Sequence, residues 1–540
     1  MRGRLALLLF GALLPSAAVA QSLPGSLGPG VRASGKVDND TYHYDTLRSG
    51  WNNAESALNT TNVASKSFGR LFSVITDGVA YGQPLIAADV TIPADGLHDL
   101  LIAGTNRDLL YAYDANTGKL IWKDNFTGGD VTDVPLSFSG CDNTGDSDGI
   151  LSTPVVDRKL GAVFVVAATL EGSGKAKAMH YRLHRVHLAT GVEFAGSPVD
   201  ITATYNWSGG SIAFQPRYQY QRPALLEWTP PTGGGHPQID IAFSGQCDFN
   251  GNIYHGWILA YDAYTLAQTA VQNITPAQDS QGNYFGGIWM SGSGPAEDDK
   301  GFVYLAVGNG TFDGLTSYGE SVLKFPGNLS DAKGSGFQFF TPYTVFQDNA
   351  ADNDTGSGGI ILFPKQRGSY PDVMVMQGKD GVITLLDRDK MGGYVPGGPD
   401  NALAELQAGG VWSAPAYYQD SSGNTYLYTT GGTIVTVQIA NGTLNVVDAG
   451  KIIFGAPNGN GSTPTISSYQ SEAGSAIVWI VQRQPLGLYA LDAGAIYTTL
   501  FSYPLGKWNF PDSNPTFVPT VANGKVYVAD ASGIVVFGLH

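Results

Sequence analysis

The chain contains few charged residues, and this shortage argues against one large class of partners. Of its 540 residues, 14% are Asp, Glu, Lys or Arg, against about 25% in an average domain. The formal charge of −16 is spread along the chain without a basic cluster. Nucleic acid is therefore not expected as a partner, because phosphate binding requires clustered Lys and Arg.

Cysteine is equally scarce, with only Cys141 and Cys247 in the sequence. Neither the spacing of a zinc site nor a C-x-x-C-H haem attachment is present. In an exported chain the two cysteines are expected to form a disulfide, and two free buried thiols are the alternative.

Long apolar runs are absent after the first twenty residues. Residues 1–20 combine a basic start, a short apolar stretch and the small-residue site Ala18-Val19-Ala20, which is typical of a cleaved secretory signal. The apolar stretch is too short for a membrane anchor. We therefore expect a secreted, extracellular protein without a membrane segment, in which Gln21 is the mature N-terminus.

An exported chain can be glycosylated at Asn-x-Ser/Thr sites, and the sequence has several. The expected sites are Asn39, Asn59, Asn125, Asn206, Asn273, Asn328, Asn441 and Asn460. Sites at Asn309 and Asn353 also occur but are attributed to chance, because both lie in motifs described below.

Long helical periodicity is missing too, and what replaces it is an internal repeat. A small or polar residue, then Pro or Gly, then an apolar strand recurs eight times, starting at residues 83, 153, 222, 294, 358, 414, 463 and 518. Further short strands follow most copies, often ending in an aliphatic-aromatic-Asp pattern. Four short antiparallel strands in each of eight units predict an all-β, eight-bladed β-propeller.

The ends of the chain predict how such a ring closes. The last unit lacks an outer strand, and residues 69–74 form a strand without a unit of its own, so pairing the two would remove both exposed edges. The predicted organisation is a signal peptide (1–20), a flexible segment (21–40) and one propeller domain (41–540). Seven blades, or a pair of β-sandwiches, are the alternatives.

The segment 112–122, Ala-Tyr-Asp-Ala-Asn-Thr-Gly-Lys-Leu-Ile-Trp, resembles the tryptophan-docking repeat of the quinoprotein alcohol dehydrogenases, or PQQ-like repeat family. In that repeat Asp114 would cap a turn, Gly118 would permit a positive φ, and Trp122 would pack between blades. Non-enzymatic propellers carry the same repeat, so it indicates fold more strongly than activity.

Segments between the repeats resemble the family's cofactor site. Gly287 and Trp289 match a Gly-rich segment whose Trp lies under the ring of pyrroloquinoline quinone (PQQ), and a core Trp is the alternative. Lys379 stands where the family has a basic residue that contacts quinone oxygens. A positive charge there would favour reduction of the quinone.

The resemblance also implies a Ca²⁺ ion and a catalytic base. Asn309 matches a Gly-Asn turn whose amide oxygen binds Ca²⁺, a ligand that a hard cation accepts readily. Asp352 and Asp354 follow a Thr-Pro stretch like the one before the family's catalytic aspartate, and an altered spacing leaves the choice open. An ordinary solvated turn is the alternative.

One motif departs from the family pattern. The segment 244–262 resembles the one that carries the family's Glu ligand to Ca²⁺, but Cys247 falls at that position, so Asp248 would have to serve instead. This departure places the metal site in question.

Three functions remain open from the sequence. The first is a PQQ- and Ca²⁺-dependent dehydrogenase, oxidising an alcohol or sugar-like substrate at the channel mouth and passing electrons to a separate acceptor. The second is a cofactor-free propeller that serves as a binding or scaffold protein. The third is a tailoring enzyme for a secreted metabolite or carbohydrate. A closed ring permits a monomer, which we expect.

Overall fold

A computed structural model describes residues 30–140, 144–231, 233–245, 253–329, 336–410, 412–455, 461–508 and 517–540. These residues form almost entirely β-structure, with three short α-helices: α1 (Thr60–Val63), α2 (Leu136–Ser139) and α3 (Val345–Ala351). Single 3₁₀ turns lie at Tyr42–Tyr44, Gly174–Ala176, Pro216–Tyr218 and Met290–Gly292. Within these ranges, no helix has the length and apolar character needed to cross a membrane.

Eight sheets of four or five strands follow one another around the ring. Strands β1 (Trp51–Asn52) and β2 (Phe68–Ile75) precede the first blade. Blade 1 contains β3 (Leu85–Ile92), β4 (Gly96–Gly104), β5 (Leu109–Asp114) and β6 (Leu120–Asn125). Blade 2 contains β7 (Val131–Asp133), β8 (Val155–Asp157), β9 (Ala162–Glu171), β10 (Ala178–His187) and β11 (Val199–Asp200).

A separate hairpin, β12 (Thr204–Trp207) and β13 (Gly210–Ala213), lies before blade 3. Blade 3 contains β14 (Gln219–Tyr220), β15 (Leu226–Trp228), β16 (Gln238–Gly245), β17 (Trp257–Asp262) and β18 (Gln268–Asn273). Blade 4 contains β19 (Ala296–Glu297), β20 (Phe302–Ala306), β21 (Val322–Pro326) and β22 (Gln338–Thr341).

Blade 5 contains β23 (Ile360–Leu362), β24 (Val373–Gln377), β25 (Val382–Asp387) and β27 (Ala404–Gln407), while β26 (Gly393–Tyr394) joins the edge of blade 4. Blade 6 contains β28 (Ala416–Gln419), β29 (Thr425–Thr430), β30 (Thr433–Ala440) and β31 (Thr443–Ile453). Blade 7 contains β32 (Thr465–Ser467), β33 (Ile477–Arg483), β34 (Leu486–Asp492) and β35 (Ala495–Gly506).

Blade 8 closes the ring with both ends of the chain. It contains β36 (Thr520–Ala522), β37 (Lys525–Ala529) and β38 (Gly533–Leu539), and β2 supplies its outer strand. The strand β2 pairs antiparallel with β38, with Phe72 opposite Val536. The eight-bladed prediction and the predicted closure are both confirmed, because the edge of β38 is covered by a strand from the other end of the chain.

The repeat residues hold neighbouring blades together as the sequence predicted. Asp114 accepts hydrogen bonds from the backbone N–H of Asn116 and Thr117 at 3.0 and 2.7 Å, and Gly118 adopts φ +74°. The Trp122 Nε1–H donates to the Leu188 carbonyl of blade 2 at 3.0 Å. Trp122 thus docks blade 1 onto blade 2, and its indole replaces solvent between the sheets.

An N-terminal stretch, here called the channel segment (residues 39–52), contacts the first strand of every blade. Backbone bonds join it to Ile86, Val156, Glu297, Leu362, Tyr417 and Ile466 of blades 1, 2, 4, 5, 6 and 7. Side chains supply the contacts to the remaining two blades. Arg48 donates to the Leu225 carbonyl beside blade 3 at 3.0 Å, and the Asn52 amide donates to the Val521 carbonyl of blade 8 at 2.8 Å. Packing against the ring therefore begins before the predicted domain boundary at residue 41.

Two predicted glycosylation sites need correction. Asn39 and Asn273 are both fully buried, and the Asn39 side-chain amide donates to Thr520 Oγ1 at 3.3 Å. A glycan cannot be attached to an amide enclosed in this way. Asn125, Asn206, Asn328 and Asn441 are exposed and Asn59 is half-buried, whereas Asn460 lies outside the described residues.

Candidate functional site

Four connecting loops of blades 3, 4 and 5 meet at one place. The loop before β19 meets the β20–β21 loop where Gly308 N–H donates to the Gly287 carbonyl at 2.8 Å. The β24–β25 turn meets the loop before β23 where Lys379 N–H donates to the Asp354 carbonyl at 3.0 Å. These backbone bonds fix the relative positions of the side chains that the loops carry.

Four predicted site residues form one network. The Lys379 ammonium lies 2.5 Å from Asp352 Oδ2 and 3.3 Å from Asp354 Oδ2. Asn309 binds both carboxylates, its backbone N–H donating to Asp354 Oδ1 at 2.8 Å and its amide Nδ2 to Asp352 Oδ1 at 2.7 Å. The structure therefore brings Asn309, Asp352, Asp354 and Lys379 together, although they lie up to 70 residues apart in the sequence.

The two aspartates of this network differ in environment. The Asp352 side chain is 58% exposed and caps α3 in a left-handed conformation, whereas that of Asp354 is 10% exposed. Burial raises the pKa of Asp354, and the nearby Lys379 charge opposes that rise. Burial would lower the pKa of Lys379, but the carboxylates of Asp354 and Asp352 outweigh it, so that its pKa is raised. Lys379 is therefore a cation over the whole physiological pH range.

Close packing explains two glycines of the site. A Cβ at Gly308 would lie 2.4 Å from Asp354 Oδ1, and one at Gly287 would lie 2.9 Å from the Gly245 nitrogen and 3.0 Å from Trp289 Nε1. Both positions exclude a side chain because the carboxylate and the indole occupy that space. Gly287 thus has a packing role beside Trp289.

The Trp289 ring is half-buried and lies 6.2 Å from the Tyr220 ring, at an interplanar angle of 58°. A second tryptophan, Trp412, was not predicted: the Lys379 ammonium lies 6.0 Å from its ring centroid. The sequence did hold a signal for it, because Gly409-Gly410-Val411-Trp412 precedes its repeat much as Gly286-Gly287-Ile288-Trp289 does. Comparing the two segments would have found both rings.

Glu320 is the other residue that the sequence analysis missed. It is fully buried, with φ +52°, and its backbone N–H donates to the Gly308 carbonyl at 2.9 Å. Its Oε2 accepts from the Thr355 N–H at 2.6 Å. Burial, and next the charge of Asp354, raise the pKa of Glu320 well above its ordinary value. The only sequence signal was a Glu at the end of a glycine-containing loop.

Three predicted site residues, Asp248, Cys141 and Cys247, lie outside the described residues, so the disulfide and the metal ligand Asp248 stay predictions. Among the residues with assigned positions, no three His, Cys, Asp or Glu side chains gather closely enough to hold a metal ion by themselves.

An amide and a carboxylate of the site nevertheless suit a cation. Asn309 Oδ1 and Glu320 Oε1 are buried oxygens without a hydrogen-bond partner. Buried oxygens are nearly always paired, and hard cations such as Ca²⁺ take oxygen ligands. The chain's residues therefore fit Ca²⁺, while Trp289, Trp412 and Lys379 suit a planar, anionic quinone.

Comparison with known proteins gives a fold match without a sequence match. No protein-family model and no curated protein matches the chain. A quinohemoprotein alcohol dehydrogenase from Comamonas testosteroni is 14% identical with a TM-score of 0.58, and one from Pseudomonas putida HK5 is 15% identical with a TM-score of 0.55. Each alignment covers 93% of this chain and 80% of that chain.

A europium-containing methanol dehydrogenase is 14% identical with a TM-score of 0.56, over 93% of this chain and 98% of that chain. The chain has the fold of the quinoprotein alcohol dehydrogenases. At such low identity the likeness establishes the fold alone. The activity has to be argued from the site residues themselves.

Proposed function

We propose that this protein is a secreted, quinoprotein-like oxidoreductase that oxidises an alcohol or sugar-like substrate with PQQ and Ca²⁺. The network of Asn309, Asp352, Asp354 and Lys379 carries the proposal. It joins a carboxylate base, a fixed cation and a free amide oxygen in loops of a fold that alcohol dehydrogenases share. The proposal of export rests on the N-terminal signal pattern, with Gln21 as the expected mature N-terminus.

The residues divide the work according to their environments. PQQ, when bound, accepts a hydride from the carbinol carbon. Asp354 takes the hydroxyl proton, because burial raises its pKa and makes it a stronger base than an exposed carboxylate. Lys379 stays protonated and stabilises negative charge beside it. Asn309 holds the Asp354 carboxylate through its backbone N–H and directs its own amide oxygen to the cation.

A cofactor-free binding protein is the second candidate, and one observation favours it. The Lys379 ammonium already contacts both carboxylates, so their charge is partly balanced without a metal ion. A scaffold propeller would need nothing more at this position. Binding of the cofactor separates the two candidates.

The test uses the purified full chain, incubated with PQQ and Ca²⁺, with tryptophan fluorescence and dye reduction followed over a panel of alcohols and sugars. We expect saturable quenching and dye reduction, with quenching reduced in Trp289→Ala and in Trp412→Ala. Trp207→Phe, in the β12–β13 hairpin, is the matched control and should quench as the wild type does. A folded protein without quenching would favour the scaffold.

A further inference from the structure

Glu320 occupies an unusual position beside the network. It is a fully buried carboxylic acid in a left-handed backbone conformation, at the end of the loop that also carries Asn309. Its N–H bond to the Gly308 carbonyl fixes its backbone opposite the Gly-Asn turn. Burying a carboxyl group is costly unless it is paired or binds a cation, so its presence needs an explanation.

Only one of the two oxygens of the Glu320 carboxylate accepts a hydrogen bond. Oε2 accepts from the Thr355 N–H at 2.6 Å, and Oε1 is buried without a partner. Thr355 directly follows Asp354 in the chain, so this hydrogen bond draws the Glu320 carboxylate towards the Asp354 loop. A purely structural role would be met by pairing both oxygens, and here one is left over.

A second unpaired oxygen lies on the same turn. Asn309 Oδ1 is buried without a partner, while the Asn309 backbone N–H holds Asp354 Oδ1 at 2.8 Å. Asp354 in turn lies so close to Gly308 that a Cβ there would be 2.4 Å from its Oδ1. Three oxygen-bearing side chains, those of Asn309, Glu320 and Asp354, are thus fixed to Gly308 and its neighbours.

We propose that Glu320 and Asn309 bind a Ca²⁺ ion beside Asp354, and that Glu320 supplies the carboxylate that the family's Glu position, here Cys247, lacks. This inference rests on the proposed function, because it names a ligand of the same Ca²⁺ ion. The Glu320 carboxylate and the Asn309 amide supply two of the hard oxygen ligands that Ca²⁺ takes, and the neighbouring Asp354 carboxylate helps to balance its charge. Lys379 keeps its contacts with Asp352 and Asp354, at 2.5 and 3.3 Å, because the ion takes its ligands from Glu320 and Asn309.

The experiment measures binding of the metal alone, without quinone or substrate. Ca²⁺ is titrated calorimetrically into the metal-free full chain, and Tb³⁺ luminescence, sensitised by the protein's tryptophans, is followed with Ca²⁺ as competitor. The main variant is Glu320→Gln, which keeps the shape of the side chain. Glu297→Gln is the matched control, because Glu297 is also a buried carboxylate with one unpaired oxygen, on the first strand of blade 4.

We expect saturable Ca²⁺ binding in the wild type, at least tenfold weaker in Glu320→Gln and within twofold of the wild type in Glu297→Gln. Glu320→Asp keeps the charge but withdraws it by one methylene, and we expect it to weaken binding as well, so it serves if Glu320→Gln does not fold. Absence of saturable binding in the wild type overturns the inference, as does a folded Glu320 variant with wild-type affinity.

Failure of the proposed function gives a different pattern. Ca²⁺ binding that depends on Glu320, in a protein that neither binds PQQ nor reduces dye, leaves this inference standing and removes the dehydrogenase. Dye reduction together with a Ca²⁺ affinity that does not depend on Glu320 supports the dehydrogenase and overturns the inference about Glu320.

Discussion

The junction of blades 1 and 2 and the junction of blades 4 and 5 differ in how the polar side chains described above are paired by hydrogen bonds. At the first, Asp114 accepts hydrogen bonds from its own turn and from His98, and Trp122 docks on the next blade. At the second, Asn309 Oδ1 and Glu320 Oε1 are buried and unpaired. The Asp114 turn is satisfied internally, whereas the loops around Gly308 leave buried oxygens free to bind something else.

The two junctions also differ in how they shift acid groups. At Asp114, burial alone would raise the pKa, but hydrogen bonds from His98 and Thr117 lower it. At Asp354 and Glu320, burial dominates and the pKa is raised. Acids with perturbed pKa values are common at functional sites, and at this site they stand beside Lys379 and Asn309.

The largest expected effect is at the junction of blades 4 and 5. Asp354→Asn removes the proposed base and should lower kcat by about 10³-fold, within the usual range for a general base. Asp352→Asn should lower kcat only by about tenfold, because its exposed carboxylate is not the base but neighbours Lys379. Steady-state kinetics of the PQQ-loaded proteins checks both, and the melting temperatures should stay near that of the wild type. Equal losses in the two variants would contradict the assignment of the base.

At the junction of blades 1 and 2 the expected loss is one of stability. Trp122→Ala removes a buried indole and its bond to Leu188, and should lower the free energy of unfolding by about 3–5 kcal/mol. Chemical denaturation measures the change, while Ca²⁺ affinity of the folded variant should be unaltered. A stable Trp122→Ala protein with impaired Ca²⁺ binding would show that the two junctions are not independent.

Stability should depend on pH through two acids in strands of blades 3 and 4, Glu227 and Glu297. Burial raises the pKa of Glu297 and of Glu227 from 4.5 to about 8, with additional repulsion from Asp298 and Asp157 respectively. The folded state holds these protons more tightly than the unfolded state does. The contribution of the two acids to the free energy of unfolding is therefore fully present below pH 4.5 and is lost as the pH rises to about 8. The total loss should be on the order of a few kcal/mol. Denaturation at pH 5, 6.5 and 8.5 tests this, and Glu297→Gln should flatten the curve.

The smallest effect concerns the turn of the repeat. Asp114→Ala removes the acceptor for two backbone N–H groups of the turn and should cost about 1 kcal/mol. Denaturation should detect this loss, without a change in dye reduction per folded molecule. A loss as large as that of Trp122→Ala would mean that the turn, and not the indole, holds the blades together.

The sequence predicted what local patterns encode. Each copy of the repeat carries its own strand and turn signals, so eight blades and the closure of residues 69–74 on the last blade could be read directly. The order of Asn309, Asp352, Asp354 and Lys379 was also readable, because each lies in a short motif. Glu320 and Trp412 were missed because their roles depend on which loops meet in space.

The channel segment was harder still to predict. Its partners are largely backbone atoms of eight different blades. Backbone N–H and C=O groups are common to nearly all residue types, so the sequence does not indicate which of them the segment will contact. Residues 21–40 were predicted as a flexible segment, yet Asn39 exchanges two backbone hydrogen bonds with Ile86 of blade 1.

The channel segment has a consequence for the order of folding. Residues 39–52 are made early in synthesis, yet their partners include Val521, made nearly last. Contacts between positions so distant in sequence form slowly, because a long loop must close first. The blades can assemble locally one after another, but the segment at their centre finds its full set of bonds only when the ring shuts around it. The final step of folding should therefore be cooperative, and removing residues 39–52 should weaken the closure that β2 and β38 make.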